Sequence, residues 1–147
     1  MSVSEHHRVV IVGGGTAGIS VAARLARAKV GDVAIIDPAE HHYYQALWTL
    51  VGAGCAKVRS TKRTEASVMP KGVTWIRQPA SGFDPDNNSV TTADGRTIGY
   101  DVLIVCPGIQ LDWDKIDGLE GHLGQDGLCS NYTYDTVEST WEFLSSM

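Results

Sequence analysis

The feature that most limits what this chain can fold into is its opening run, Val9-Val10-Ile11-Val12-Gly13-Gly14-Gly15-Thr16-Ala17-Gly18. An apolar strand leads straight into a glycine-rich turn, the turn opens a helix, and Asp37 closes the next apolar run, Val33-Ala34-Ile35-Ile36. A bare G-x-G-x-x-G is a weak signal. Strand, turn, helix, second strand and acid in that order are the fingerprint of a dinucleotide-binding βαβ unit. Gly13 serves the tight turn, Gly15 lets backbone approach a pyrophosphate, and Gly18 lets helix and strand close on each other. The amides of Thr16, Ala17 and Gly18 fall at the helix start, where unpaired N–H groups and the helix dipole attract an anion. Asp37 is placed to accept both hydroxyls of an adenosine ribose, and its charge disfavours a 2′-phosphate and hence NADP. Small residues (Ala22, Ala23, Ala26) mark where the helix lies close to the sheet, and Gly31-Asp32 is expected to break it.

The bulk properties remove other classes. With 147 residues, 43% apolar and 20% charged, the chain holds one modest globular domain. A net charge of −5 and no basic run longer than Lys62-Arg63 argue against nucleic acid. No stretch approaches the roughly 20 apolar residues of a membrane span. The first strand follows Met1–Arg8 at once, leaving no room for a signal-peptide apolar region and pointing to a cytoplasmic start. Cys55, Cys106 and Cys129 are widely spaced and odd in number, which supports neither a metal site nor a disulfide framework; the expectation is packed or half-buried thiols. The adjacent pairs His6-His7 and His41-His42 are expected to point apart rather than share a metal.

Beyond Asp37 the pattern loosens. Residues 39–45 read as a polar, aromatic loop, 46–51 as a short helix ending at Gly52-Ala53-Gly54, 57–63 as an exposed basic connection, and 65–70 as a helical turn stopped by Pro70. Val73–Gln78 and Ser89–Thr92 are strand-like, and Ala93-Asp94-Gly95 turns into Arg96-Thr97-Ile98, giving an antiparallel meander. The run from Tyr100 to Cys106 before Pro107-Gly108 reads as a strand buried on both faces. A helix is expected over Tyr134–Leu144, and ending at Met147 just beyond its apolar face points to a piece of a longer protein.

The order βαβ, meander, Tyr100-Asp101, apolar strand, Pro107-Gly108 resembles the two-dinucleotide-binding-domain flavoproteins of the pyridine nucleotide-disulfide oxidoreductase superfamily. Within them, His42-Tyr43-Tyr44-Gln45-Ala46-Leu47-Trp48-Thr49-Leu50-Val51-Gly52-Ala53-Gly54 is similar to a segment of the sulfide:quinone oxidoreductases, where many members carry Pro at position 46. Gly108-Ile109-Gln110-Leu111-Asp112 and Ser130-Asn131-Tyr132 are similar to the mitochondrial-type branch. The resemblance implies an α/β fold, a Rossmann-like FAD-binding βαβ unit with a parallel sheet and an antiparallel meander. Residues 1–112 would form the first half of an FAD-binding domain, and 113–147 a connection and helix toward a second domain.

It further implies FAD as cofactor, held by Gly13, Gly15, Thr16, Ala17, Gly18 and Asp37. Gln45 would lie near the flavin, the Ala80 backbone near adenine and Gly108 beside the cofactor, where a side chain would collide with it. Sulfide would be oxidised to sulfane sulfur through a cysteine pair lying downstream, with electrons passing through FAD to a quinone. Cys129 is the single candidate for a participating thiol within the chain, which alone would bind FAD weakly and not turn over. Membrane contact would come through a part beyond residue 147, at the inner face of the cell membrane. Two other readings remain: an NADH:quinone-type flavin oxidoreductase, and a truncated, non-catalytic nucleotide-binding module.

Overall fold

The computed structural model describes Val3 and residues 5–147, which form two compact units, one running through His42 and resuming over 64–108, the other comprising residues 43–63 and 109–147. In the first unit, β1 (Glu5–Val12), α1 (Thr16–Arg27) and β2 (Val33–Ile36) build the βαβ unit that the glycine motif predicts. β5 (Val73–Ile76) adds in parallel beside β2, and β8 (Thr97–Val105) runs parallel to β1 on its other side. β6 (Ala80–Asp84) and β7 (Ser89–Thr92) complete an antiparallel extension, so the six strands run β5-β2-β1-β8-β7-β6. β3 (His41–Tyr43) and β4 (Lys62–Thr64) pair in a small sheet of their own.

Alternation along β1 fills two cores at once. Val9 and Ile11 pack with Val33, Ile35 and Ala22 of α1, whereas Val10 and Val12 pack with Ala34, Ile36, Ile76, Val90 and Ile98. Each such fully buried Val or Ile contributes about 1.5–3 kcal/mol of transfer free energy, so a sheet covered on both faces anchors everything at its ends. α1 stops earlier than its sequence suggests. Lys29 takes the left-handed conformation (φ 58°), Val30 N–H donates to Leu25 O and Lys29 N–H to Ala26 O, a Schellman close with lysine where glycine is usual. Gly31-Asp32 therefore lies beyond a helix already ended.

β8 departs from expectation in two ways. The hairpin arm and the closing strand are one nine-residue strand, not two. It is also not buried on both faces, because Val102 and Val105 are half exposed. β7 pairs with it only at Thr97–Gly99, so its later half has β1 as its one neighbour in the sheet.

The second unit is built around Trp48, Val51, Val58 and Val137, joining α2 (Trp48–Gly52) to α4 (Val137–Ser146). Trp48 Nε1–H donates to Thr61 Oγ1 at 3.0 Å, and Thr61 donates to Val58 O at 2.7 Å. Burial of Val58 and Thr61 corrects the reading of 57–63 as an exposed connection: a tryptophan indole needs an acceptor in the core, and Thr61 supplies it. A Cβ on Gly52 would lie 2.3 Å from Asn131 Oδ1, and one on Gly54 2.5 Å from the Trp141 indole, so both glycines are fixed by close packing. No helix among the described residues is long and apolar enough to cross a membrane.

Candidate functional site

The glycine turn divides its three motif glycines by what surrounds them. A Cβ on Gly13 would fall 2.0 Å from Cys106 O, on a backbone with φ 103°, and one on Gly18 would fall 1.8 Å from Gly13 O. These two hold the turn and α1 against the sheet. Gly15 meets nothing within 4 Å, and Gly15, Thr16 and Ala17 are exposed while Gly13, Gly14 and Gly18 are buried. No side chain caps α1, and no acid stands in its first turn. The outer face of the turn is thus clear of protein, with helix-start amides free of a cap, which is the arrangement an anionic group requires.

Asp37, at the end of β2, is fixed by backbone. Its Oδ2 accepts from Gly14 N–H at 2.5 Å and its Oδ1 from Ala39 N–H at 2.7 Å. A carboxylate offers about four lone-pair sites, so two bonds orient it and leave capacity on both oxygens for a diol. The Trp75 indole N–H donates to Asp37 O at 2.9 Å and ties the turn after β2 to β5. A cavity of about 410 Å³ opens beside this turn, lined by Pro38, Ala39, Glu40, Trp75 and Arg77 among others, with the Arg77 guanidinium stacked 3.9 Å over the Trp75 ring.

Sequence reasoning missed the third member of the site. Glu65 opens the short helix α3 (Glu65–Val68), its side chain is buried at 2% exposure, and its N–H donates to Glu40 O at 2.9 Å. A Cβ on Gly14 would lie 2.8 Å from Glu65 Oε1 and 3.0 Å from Asp37 Cβ, so both acids flank the same face of Gly14. His42 Nδ1 stands 3.3 Å from Gly14 O and 3.6 Å from Glu65 Oε2, while Oε1 has no hydrogen-bond partner. Burial, and then the nearby Asp37 charge, push the Glu65 carboxyl up to about 7. The one available signal was compositional: Glu65 is the acid that follows the basic stretch Lys57–Arg63.

Ala80 opens β6, half-buried against the core, and Gly108 follows β8 with φ 77° and open space around it. In the second unit, Gln45 is exposed in a single 3-10 turn, Gln45–Leu47. The cysteines are all free, but Cys55 and Cys129 are exposed and only Cys106 is half-buried, correcting the expectation of packed thiols. Cys55 sits in the turn just after α2, where no core is available to it, and its Sγ reaches only Ala53 O at 3.6 Å.

An open glycine turn at a helix start, with an acid oriented at the end of the second strand, defines a nucleotide-cofactor protein of the doubly wound class. Residues 7–140 match the family model described as pyridine nucleotide-disulphide oxidoreductase, and the chain belongs to that family, which implies a flavin or nucleotide cofactor. Among its relatives are the mitochondrial sulfide:quinone oxidoreductases of Dictyostelium discoideum, 45% identical over 95% of this chain and 31% of that protein, and of Mus musculus, 43% identical over 97% and 32%. The solved sulfide:quinone oxidoreductase of Aquifex aeolicus superposes with a TM-score of 0.67 at 26% identity, covering 97% of this chain and 32% of that one. The chain spans about a third of the length of the curated relatives it matches.

Proposed function

We propose that the chain forms the adenosine-and-diphosphate part of an FAD site in an enzyme that oxidises sulfide to sulfane sulfur and delivers the electrons to a quinone. The observation that carries the binding half is the clear face of Gly15-Thr16-Ala17 beside the backbone-oriented Asp37 carboxylate. The sulfide and quinone half rests on the two mitochondrial relatives at 45% and 43% identity, which favour it over an NADH:quinone enzyme or a non-catalytic module.

The residues present fit that group. The amides of Thr16, Ala17 and Gly18 meet the diphosphate, with Gly15 admitting it closely, and Gly13 and Gly18 keep the turn in register. Asp37 accepts the ribose diol. By the family resemblance, the Ala80 backbone would contact adenine, Gly108, three residues beyond β8, would stand beside the cofactor, and Gln45 would lie near the flavin. Bound FAD supplies two-electron transfer between a sulfur donor and a quinone. This chain's part is to bind and orient. We assign Cys55 and Cys106 no part in the sulfur step, and Cys129 is the one thiol of this chain assigned a part in it. The location we assign is cytoplasmic, with peripheral contact at the inner face of the cell membrane where a quinone is met.

The test is direct. The purified chain is mixed with excess FAD and desalted, and the visible spectrum is read for retained flavin. The expected outcome is weak, substoichiometric retention and no sulfide-dependent quinone reduction by the chain alone. Folded protein that shows no FAD affinity by titration overturns the binding assignment, and turnover by the chain alone overturns its restriction to a binding role.

A further inference from the structure

Glu65 has no part in the dinucleotide fingerprint, yet it sits against the segment that fingerprint defines. Its Oε1 packs on the face of Gly14 shared with Asp37, and Gly14 is the residue whose N–H orients the Asp37 carboxylate. Buried carboxyl oxygens ordinarily find a partner, and this Oε1 has none. The titratable groups facing Glu65 are Asp37 at the end of β2 and His42 in β3. The glycine turn contributes no titratable side chain, α3 adds only Ala66, Ser67 and Val68, and Glu40 lends its carbonyl while its own side chain is exposed.

We propose that Glu65 is a positioning residue of the dinucleotide site: as the neutral acid wedged between Gly14, Asp37 and His42 it holds the Asp37–Gly14 clamp in its binding geometry, and on losing its proton to solvent it weakens nucleotide binding. The inference rests on the reading of the glycine turn as an FAD site. Its physical basis is charge. A neutral Glu65 leaves Asp37 as the single anion at the ribose position. An ionised Glu65 places a second carboxylate in the same buried corner, where like charges repel strongly and where a diphosphate must also be accommodated. The carboxyl's rise to about 7 puts this change within the working range of a cell.

The experiment is titration of the chain with FAD, followed by flavin fluorescence from about pH 5.5 to about pH 8.5, for the wild type, Glu65→Gln and Glu65→Ala, with circular dichroism on the same samples. The wild type is expected to lose about tenfold in affinity across that range, the coupling that one unit of difference in the Glu65 pKa between free and bound states produces. Glu65→Gln keeps the uncharged shape and is expected to bind with wild-type low-pH affinity and a nearly flat profile. Glu65→Ala, lacking the wedge, binds more weakly at every pH. If His42 governed the profile instead, Glu65→Gln would retain the wild-type slope, and the proposal would fall. A wild type with no pH dependence overturns it too, while leaving the FAD reading standing. Failure of the folded wild type to bind FAD at any pH removes both. Should Glu65→Gln not fold, carbon-detected NMR titration of the Glu65 carboxyl in the wild type decides the matter: its pKa must rise on FAD binding, and an unmoved titration overturns the proposal.

Discussion

β2 is bracketed by two aspartates whose surroundings differ in kind. At its start, Asp32 is exposed but internally paired: Oδ1 meets His7 Nδ1 at 2.6 Å, Oδ2 accepts from Arg8 N–H at 2.9 Å, and the other His7 nitrogen reaches Glu5 at 2.8 Å. Arg96 adds a cation 3.8 Å from Glu5. At its end, Asp37 is oriented by two backbone amides, and the acid beside it has an oxygen with no partner. One end of the sheet satisfies its charges internally. The other orients polar groups and leaves capacity unused, and that is where a ligand is needed to complete the bonding.

The largest break in this comparison comes from the glycines. Gly18→Ala puts a methyl 1.8 Å from Gly13 O, and backbone must move to admit it. We expect a loss of more than about 3 kcal/mol in urea unfolding, together with loss of FAD binding. Gly15→Ala meets no protein atom within 4 Å at a backbone φ of −66°, so stability should hold within about 0.5 kcal/mol while FAD affinity falls at least tenfold. Equal destabilisation by the two variants would erase the distinction between a packed and an open glycine.

Next in size is the pair Asp37→Ala and His7→Ala. The first removes the ribose acceptor, and FAD affinity measured by titration should drop roughly 10- to 100-fold. The second leaves Glu5 and Asp32 facing each other without a donor between them. His7 can serve both carboxylates only with protons on both ring nitrogens, and its side chain is 8% exposed. A loss of about 1–3 kcal/mol in unfolding free energy is expected, with FAD binding unchanged. An effect of His7→Ala on binding would show that the two ends are coupled.

The βαβ unit was legible because its physics is local: Gly13, Gly18 and Asp37 carry their roles within one strand–turn–helix–strand stretch. Glu65 was not, because its role arises only when α3 packs against Gly14, a contact that periodicity does not encode. β8 was misread for a related reason. An apolar run such as Tyr100–Cys106 signals burial, but whether a neighbour covers it depends on how far β7 extends, and pairing stops at Gly99. The buried Thr61 shows the same limit, since a polar residue in a basic stretch looks exposed until the Trp48 indole is placed beside it.

The pH responses of the two ends have opposite signs. The Glu65 carboxyl is raised from 4.5 to about 7 in the folded state. Its contribution is fully present below pH 4.5 and is lost as pH rises through about 7, because the folded form holds the proton more tightly. Asp32 is lowered below 3.8, first by the His7 hydrogen bond and then by the Arg8 amide, so its contribution is present above 3.8 and lost as pH falls through its folded value. Asp32 is half exposed, which holds that contribution below about 1 kcal/mol. Urea unfolding of Glu65→Gln should therefore lose the decline between pH 4.5 and about 7, and Asp32→Asn should lose only the acid-side rise. If Asp32→Asn instead changed the slope near pH 7, the closed end would be answering to the same proton as the open one, and the separation of the two ends of β2 would not stand.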